Sequence, residues 1–367
     1  MPKKTSISSL PVFIASILSG AYILYVGWLY DFNPLPTISI ALMAFGFVFI
    51  NTSKYSQKII YQTNHLRYGV YTMLLCYLAI NLYILFVDES KVRQFVAFIN
   101  MEDFGDPVPK SMHTYEENCD LNWENLYDNL DHYFVVHTLG WFLIMLSVKD
   151  FKLLALLGLV DELIEVTFKY ILPHLGECWF DSWFLDLIVS NLGGMLLAYV
   201  ILNYNRVPLA NFMGTPSLRS SFLKFLNVRE WKVYTDARRF IFVNLMVINQ
   251  ALYMSATFFY MNSLWIAPKS NYAIFRGTAH IIVYFLFINE GDRYIKKGKK
   301  ASIFELKSLF CSCAVHLVES IIAVKYGAKS DNYADEPAIN KKMAVFWMVY
   351  LIWFITTARR MIKMKKV

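Results

Sequence analysis

A group of oxygen-bearing side chains crowds into an otherwise apolar stretch of this sequence. Asp161-Glu162-Leu163-Ile164-Glu165 is followed by Glu177-Cys178-Trp179-Phe180-Asp181, then by Asp186 and by Asn191-Leu192-Gly193-Gly194. A charge at the centre of a membrane helix costs at least about 2.5–3.5 kcal/mol on insertion scales. Several carboxylates close together also repel one another. Such a set survives only if a positive charge sits among it or protons neutralise it. Carboxylate and amide oxygens are hard donors that suit Ca²⁺, Mg²⁺ or Mn²⁺ better than zinc. A divalent ion would settle the repulsion and supply a Lewis acid. For any one of these residues alone, a snorkelling or ion-paired side chain would be explanation enough. One helix upstream, His137 stands inside an apolar run, either as a functional imidazole or as a hydrogen-bonded packing residue. His132, nearer the start of that run, reads as interfacial. Gly193 and Gly194 either let two helices approach closely or leave room for a lipid phosphate.

The elements that must hold these residues follow from the spacing. Glu162 and Glu165 are three apart and share a helix face. Asp186 is five residues past Asp181, so it lies deeper in the next helix, and Asn191 deeper again. The connection from about Pro173 to Phe180 is short, which makes the two helices antiparallel neighbours. The ends carrying Glu165, Glu177 and Asp181 then meet at one mouth.

Composition supplies the solvent. The chain has 367 residues, is 57% hydrophobic and only 17% charged, against roughly 25% charged in soluble chains. Apolar runs long enough for a hydrocarbon core of about 30 Å recur throughout. They predict ten crossings, at 9–30, 36–51, 68–87, 130–148, 152–172, 182–203, 239–262, 272–290, 303–325 and 340–358. All should be helices, because lipid cannot satisfy an open backbone. The expected fold class is therefore all-α, a polytopic membrane protein with a single transmembrane domain over 1–367 and no internal repeat or linker. The first run is longer than a signal-peptide core and lacks a small-residue cleavage pattern, so a retained helix is expected.

With ten crossings both termini face the same side. The basic loops, such as the one bearing Arg219, Lys224, Arg229 and Lys232, then fall together, as do the acidic ones around Asp88–Asp120 and Asp331–Glu336. Lys and Arg favour the cytoplasm, so both termini are expected in the cytosol. The net charge of +7 is thus accounted for by topology, and no nucleic-acid patch is read from it. The tail Lys363-Met364-Lys365-Lys366-Val367 is similar to a dilysine endoplasmic-reticulum retrieval signal. Five cysteines lack metal-site spacing. Cys119 and Cys178 fall on the outer, lumenal side in this topology, where they are either a disulfide or two free thiols. Cys311 and Cys313 read as packing residues.

Taken together, these stretches resemble the base-exchange phosphatidylserine synthase family. The carriers are Glu162-Leu163-Ile164-Glu165, Leu172-Pro173-His174-Leu175-Gly176-Glu177-Cys178-Trp179-Phe180-Asp181, Leu185-Asp186 and Asn191-Leu192-Gly193-Gly194. Upstream, Asp106-Pro107, Tyr115-Glu116-Glu117-Asn118-Cys119 and His137-Thr138-Leu139-Gly140-Trp141 are similar to family segments. So is Glu319 to Gly327 near the end. The core signature spans 106–200 and C-terminal helices occupy 239–360. Departures occur at His174 and Leu192, and in the segments Gln250–Thr257 and His280–Leu286.

The resemblance implies a calcium-dependent exchange in which the head group of phosphatidylcholine or phosphatidylethanolamine is replaced by L-serine. Ca²⁺ is the implied cofactor, ahead of Mn²⁺ or Mg²⁺. Glu162, Glu165, Glu177, Asp181 and Asp186 would form the metal shell. Glu162 and Glu165 would thereby also be catalytic, and Asn191, Gly193 and Gly194 would lie against substrate. His137 would act as base or as covalent nucleophile. The expected partners are the donor phospholipid and L-serine. The expected setting is the endoplasmic reticulum membrane with the site towards the lumen, and a homodimer would be in keeping with the family. A CDP-alcohol phosphotransferase would need an Asp-Gly-x-x-Ala-Arg run, which the chain lacks. A divalent-cation transporter and a non-catalytic homologue are the remaining alternatives.

Overall fold

The computed structural model describes residues 64–88, 90–92, 94, 119–128, 130, 132–215, 231–264, 266, 271–298, 302–327 and 339–364. The expected crossings at 9–30 and 36–51, and the segment holding Asp106 and Tyr115, lie outside these residues. The described residues are helical, without strands. In chain order the helices are α1 (Asn64–Phe86), α2 (Trp123–Asp128), α3 (His132–Val148), α4 (Phe151–Phe168), a π-helix (Asp181–Leu192) continuing into α5 (Gly193–Tyr204), α6 (Ala237–Ser263), α7 (Asn271–Lys296), α8 (Lys307–Gly327) and α9 (Lys341–Met364). Each of the other eight expected crossings falls on one of these elements. Four stretches are long and apolar enough to span a membrane: Asp181–Tyr204, Ala237–Tyr260, Lys307–Tyr326 and Lys341–Lys363. Helix α4, an expected crossing, carries Lys152 and three carboxylates and is not among these four.

Local chemistry sets the helix ends. Asp150 caps α4, accepting from the Leu153 amide at 3.2 Å. Its second oxygen takes the Phe212 amide at 2.6 Å. The turn between α3 and α4 is thereby tied to the segment after α5. Helix α4 stops ahead of Pro173, which opens a single 3₁₀ turn over Pro173–Leu175. Asp236 caps α6 in the same way as Asp150 caps α4.

Helices α6 and α8 pack along each other at the centre, α3 lies along α5 and the π-helix, and α1 lies along α8. The core joins Met145, Leu146 and Leu153 to Phe240, Phe242, Met246 and Phe287. Between helices in lipid, association is driven by packing and hydrogen bonds rather than by loss of water. The interior accordingly holds Ser263 donating to the Ala323 carbonyl at 3.0 Å and Trp347 donating to Thr167 Oγ1 at 2.9 Å. The Lys325-Tyr326-Gly327 segment also has a structural role here. Lys325 Nζ donates to the Leu85 and Val87 carbonyls, and Tyr326 donates to Val87, so α8 closes the C-terminal end of α1.

Candidate metal-assisted catalytic site

The site forms where α3, α4, the Pro173–Phe180 connection and the π-helix converge. One carboxylate oxygen each from Glu162, Glu165 and Glu177 lie within 4.8 Å of one another. Glu162 is buried, and its Oε2 has no hydrogen-bond partner. Asn191 is buried nearby in sequence register with the π-helix acids, and its Oδ1 is likewise unpartnered. Among the described residues, no lysine or arginine pairs with Glu162, Glu165 or Glu177. Three clustered carboxylates with an unsatisfied buried oxygen fit a hard divalent cation. The all-oxygen donor set suits Ca²⁺, Mg²⁺ or Mn²⁺ better than zinc.

The π-helix is what brings the second set of acids to the same wall. In an α-helix each residue advances about 100°, so residues five apart diverge by roughly 140°. In a π-helix the hydrogen bonds close five residues back, which widens the turn and brings residues five apart onto one side. Asp181, Asp186 and Asn191 are spaced by five and all three are buried, with Ser190 and Leu185 beside them. The opposite face, with Trp183, Phe184, Ile188 and Val189, is exposed in the protein and suited to lipid. The hydrophobic run 182–203 predicts only a plain helix here.

His137 approaches this wall from α3. Its Nδ1 lies 3.5 Å from Asp186 Oδ1. The Nδ1 atom is buried while the side chain as a whole is 39% exposed. Asp186 therefore faces one ring nitrogen, and Nε2 is left for a reacting group. Thr138 donates to Ser190 Oγ at 3.1 Å, and Ser190 to the Phe134 carbonyl at 3.3 Å. These two hydroxyls hold α3 and the π-helix in register, so His137 and Asp186 stay opposed. Ser182 donates to Glu177 Oε2 at 3.1 Å, which orients the one carboxylate that comes from the connection. Cys119 and Cys178 form a disulfide across a sequence separation of 59, anchoring the residue next to Glu177. Thr138, Ser182 and Ser190 were not singled out from sequence, where isolated hydroxyls in helices carry no signal.

The two glycines separate. A methyl group at Gly193 would meet nothing within 4 Å, whereas one at Gly194 would overlap the Thr138 carbonyl of α3. Gly194 is thus a close-approach residue between α3 and α5, and Gly193 borders open space. Gly194→Ala should cost about 1–3 kcal/mol, because a rigid backbone must move to admit the methyl. Gly193→Ala should be nearly silent in the same thermal-unfolding assay in detergent.

Residues 66–327 match the family described as Phosphatidyl serine synthase. The chain belongs to the phosphatidyl serine synthase family. Its relatives include "CDP-diacylglycerol--serine O-phosphatidyltransferase 1" of Arabidopsis thaliana, 27% identical over 71% of this chain and 65% of the relative. "Phosphatidylserine synthase 2" of Homo sapiens is 25% identical over 67% of this chain and 53% of the relative. The match thus spans about two thirds of the plant protein and half of the human one. The family match over 66–327 takes in α1 from Leu66 onward and all of α2 to α8, hence every residue of the site.

Proposed function

We propose that this chain makes phosphatidylserine by exchanging the head group of an existing phospholipid for L-serine, with Ca²⁺ held by Glu162, Glu165 and Glu177. The supporting observation is the meeting of those three carboxylates with the opposed pair His137 and Asp186. Asp181, Asp186 and Asn191 line the adjoining wall, where they complete the oxygen shell or receive the phosphate. A bound divalent ion would withdraw charge from the phosphoryl oxygens as the transition state forms. His137 either takes the proton of the serine hydroxyl as it attacks phosphorus, or attacks phosphorus itself and is released by serine. As base, His137 would pass that proton to the departing choline or ethanolamine oxygen; as nucleophile, the departing oxygen would take a proton from solvent, and the serine hydroxyl would return one when it displaces the imidazole. One phosphodiester is broken and another is made, so no activating nucleotide is required. The site opens towards the lumen of the endoplasmic reticulum in this reading, with both termini cytosolic, and the enzyme works alone or as a homodimer.

A second reading takes CDP-diacylglycerol as donor, which the names of the plant relatives favour. Membranes lacking other phosphatidylserine synthesis distinguish the two. Labelled L-serine is supplied with and without CDP-diacylglycerol, in millimolar Ca²⁺ or chelator, to the natural sequence and to Glu165→Ala. Label incorporated without the nucleotide, and requiring both Ca²⁺ and Glu165, is the expected result. Incorporation only with CDP-diacylglycerol would replace exchange by the second reading. No incorporation by folded protein offered both donors would leave a cation transporter or a non-catalytic homologue.

A further inference from the structure

Asp161 sits beside Glu162 and one helical turn before Glu165, yet its side chain is engaged elsewhere. Gln250 of α6 donates through Nε2 to Asp161 Oδ1 at 2.7 Å and to Oδ2 at 3.0 Å. Tyr284 of α7 donates its hydroxyl to Gln250 Oε1. The three residues are 8%, 3% and 1% exposed, so water does not stand in for either bond. Nε2 is the donor end of the amide, so its NH₂ faces Asp161 and its carbonyl oxygen faces away. The phenol behind it then donates to the remaining carbonyl oxygen and fixes the amide in that sense. Tyr284 is held in turn, its ring edge-on to His280 at 4.8 Å and to Phe287 at 5.5 Å.

We propose that Gln250, oriented by Tyr284, is a positioning residue for the carboxylates of α4. This rests on the metal-assisted reading above. Residues four apart lie on neighbouring turns of one face, so the rotation of α4 that aims Glu165 at Glu177 is the rotation that brings Asp161 to Gln250. The clamp reaches α4 from α6, through Asp161, which is not one of the three clustered carboxylates. It fixes the direction of Glu162 and Glu165 without entering the cluster. Gln250 lies in a segment where the sequence departs from the family pattern.

The test uses full-length protein in detergent. The Ca²⁺ concentration giving half-maximal thermal stabilisation is measured without substrates, then compared with that for half-maximal activity. Gln250→Leu should raise both about tenfold, at the lower end of what loss of a partner behind a ligand costs. The KM for serine should hold. Tyr284→Phe removes a single oxygen and should shift both values in the same direction by a smaller factor. Because it acts only through Gln250, it should add nothing to the Gln250→Leu variant. If Gln250→Leu fails to accumulate, Tyr284→Phe carries the test alone. An unchanged Ca²⁺ dependence in folded variants, or full additivity of the two changes, would overturn the proposal. Glu165→Ala is the control: if it too keeps Ca²⁺ stabilisation, the metal-site reading falls, and not merely the role of Gln250.

Discussion

His137→Ala is expected to lower serine incorporation by about 10²–10⁴-fold, the range for loss of a positioned proton-transfer group. Its Ca²⁺-dependent thermal stabilisation should survive, because His137 stands outside the cluster of Glu162, Glu165 and Glu177. That split separates a chemical role from a metal-binding one. Asp186→Asn should cost less, since an amide can still face Nδ1 across the 3.5 Å gap, though it no longer favours the charged ring. The two versions of the His137 step part on trapping. With short-chain donor labelled in the phosphatidyl group and serine withheld, a covalent phosphatidyl-histidine would label the protein, whereas a general base would not. Activity of His137→Ala within about tenfold of the natural sequence would remove both versions.

How much of this was legible in the sequence depends on what each feature is made of. Helix positions were legible because hydrophobic runs write them directly. The predicted runs at 239–262 and 340–358 fall on α6 and α9 within a few residues. The acidic cluster was legible for the opposite reason, since each carboxylate violates the pattern around it. The π-helix was not legible, because a change from four- to five-residue hydrogen bonding leaves no mark in hydropathy. Only the spacing of Asp181, Asp186 and Asn191 hinted at it. Partnerships were hidden as well. Gln250 looked like a departure from a family segment, and its meaning came from Asp161, 89 residues away. Asp161 was noted as a carboxylate, but spacing alone could not tell that it faces α6.

The same limit applied to Glu319, which resembled a family segment without any visible reason for a charge there. Arg276 of α7 donates to it through Nε at 3.0 Å and Nη2 at 2.7 Å, and places Nη1 on Thr257 at 2.6 Å. Tyr77 donates to Glu319 Oε1 at 2.5 Å, and His316 Nδ1 lies 3.1 Å from Oε2. Arg276 also stacks its guanidinium over the Tyr253 ring at 4.8 Å. The two charged side chains are 5% and 0% exposed. Removing one member of such a pair strands a charge where neither water nor lipid solvates it, at about 3–5 kcal/mol. Arg276→Met should therefore be among the most destabilising single changes in the chain, read as a lower unfolding midpoint in detergent. Arg276→Met with Glu319→Gln should recover much of the loss, because the neutral amide oxygen still accepts from Tyr77. Equal damage from the single and double variants would mean that the packing of Arg276, and not its charge, is what α6, α7 and α8 require. Recovery would mean that the ion pair fixes which helices meet, at little net gain in stability over a neutral pair. On that outcome, the polar layer of α1, α6, α7 and α8 sets the arrangement against which α4 turns Glu162 and Glu165 towards Glu177.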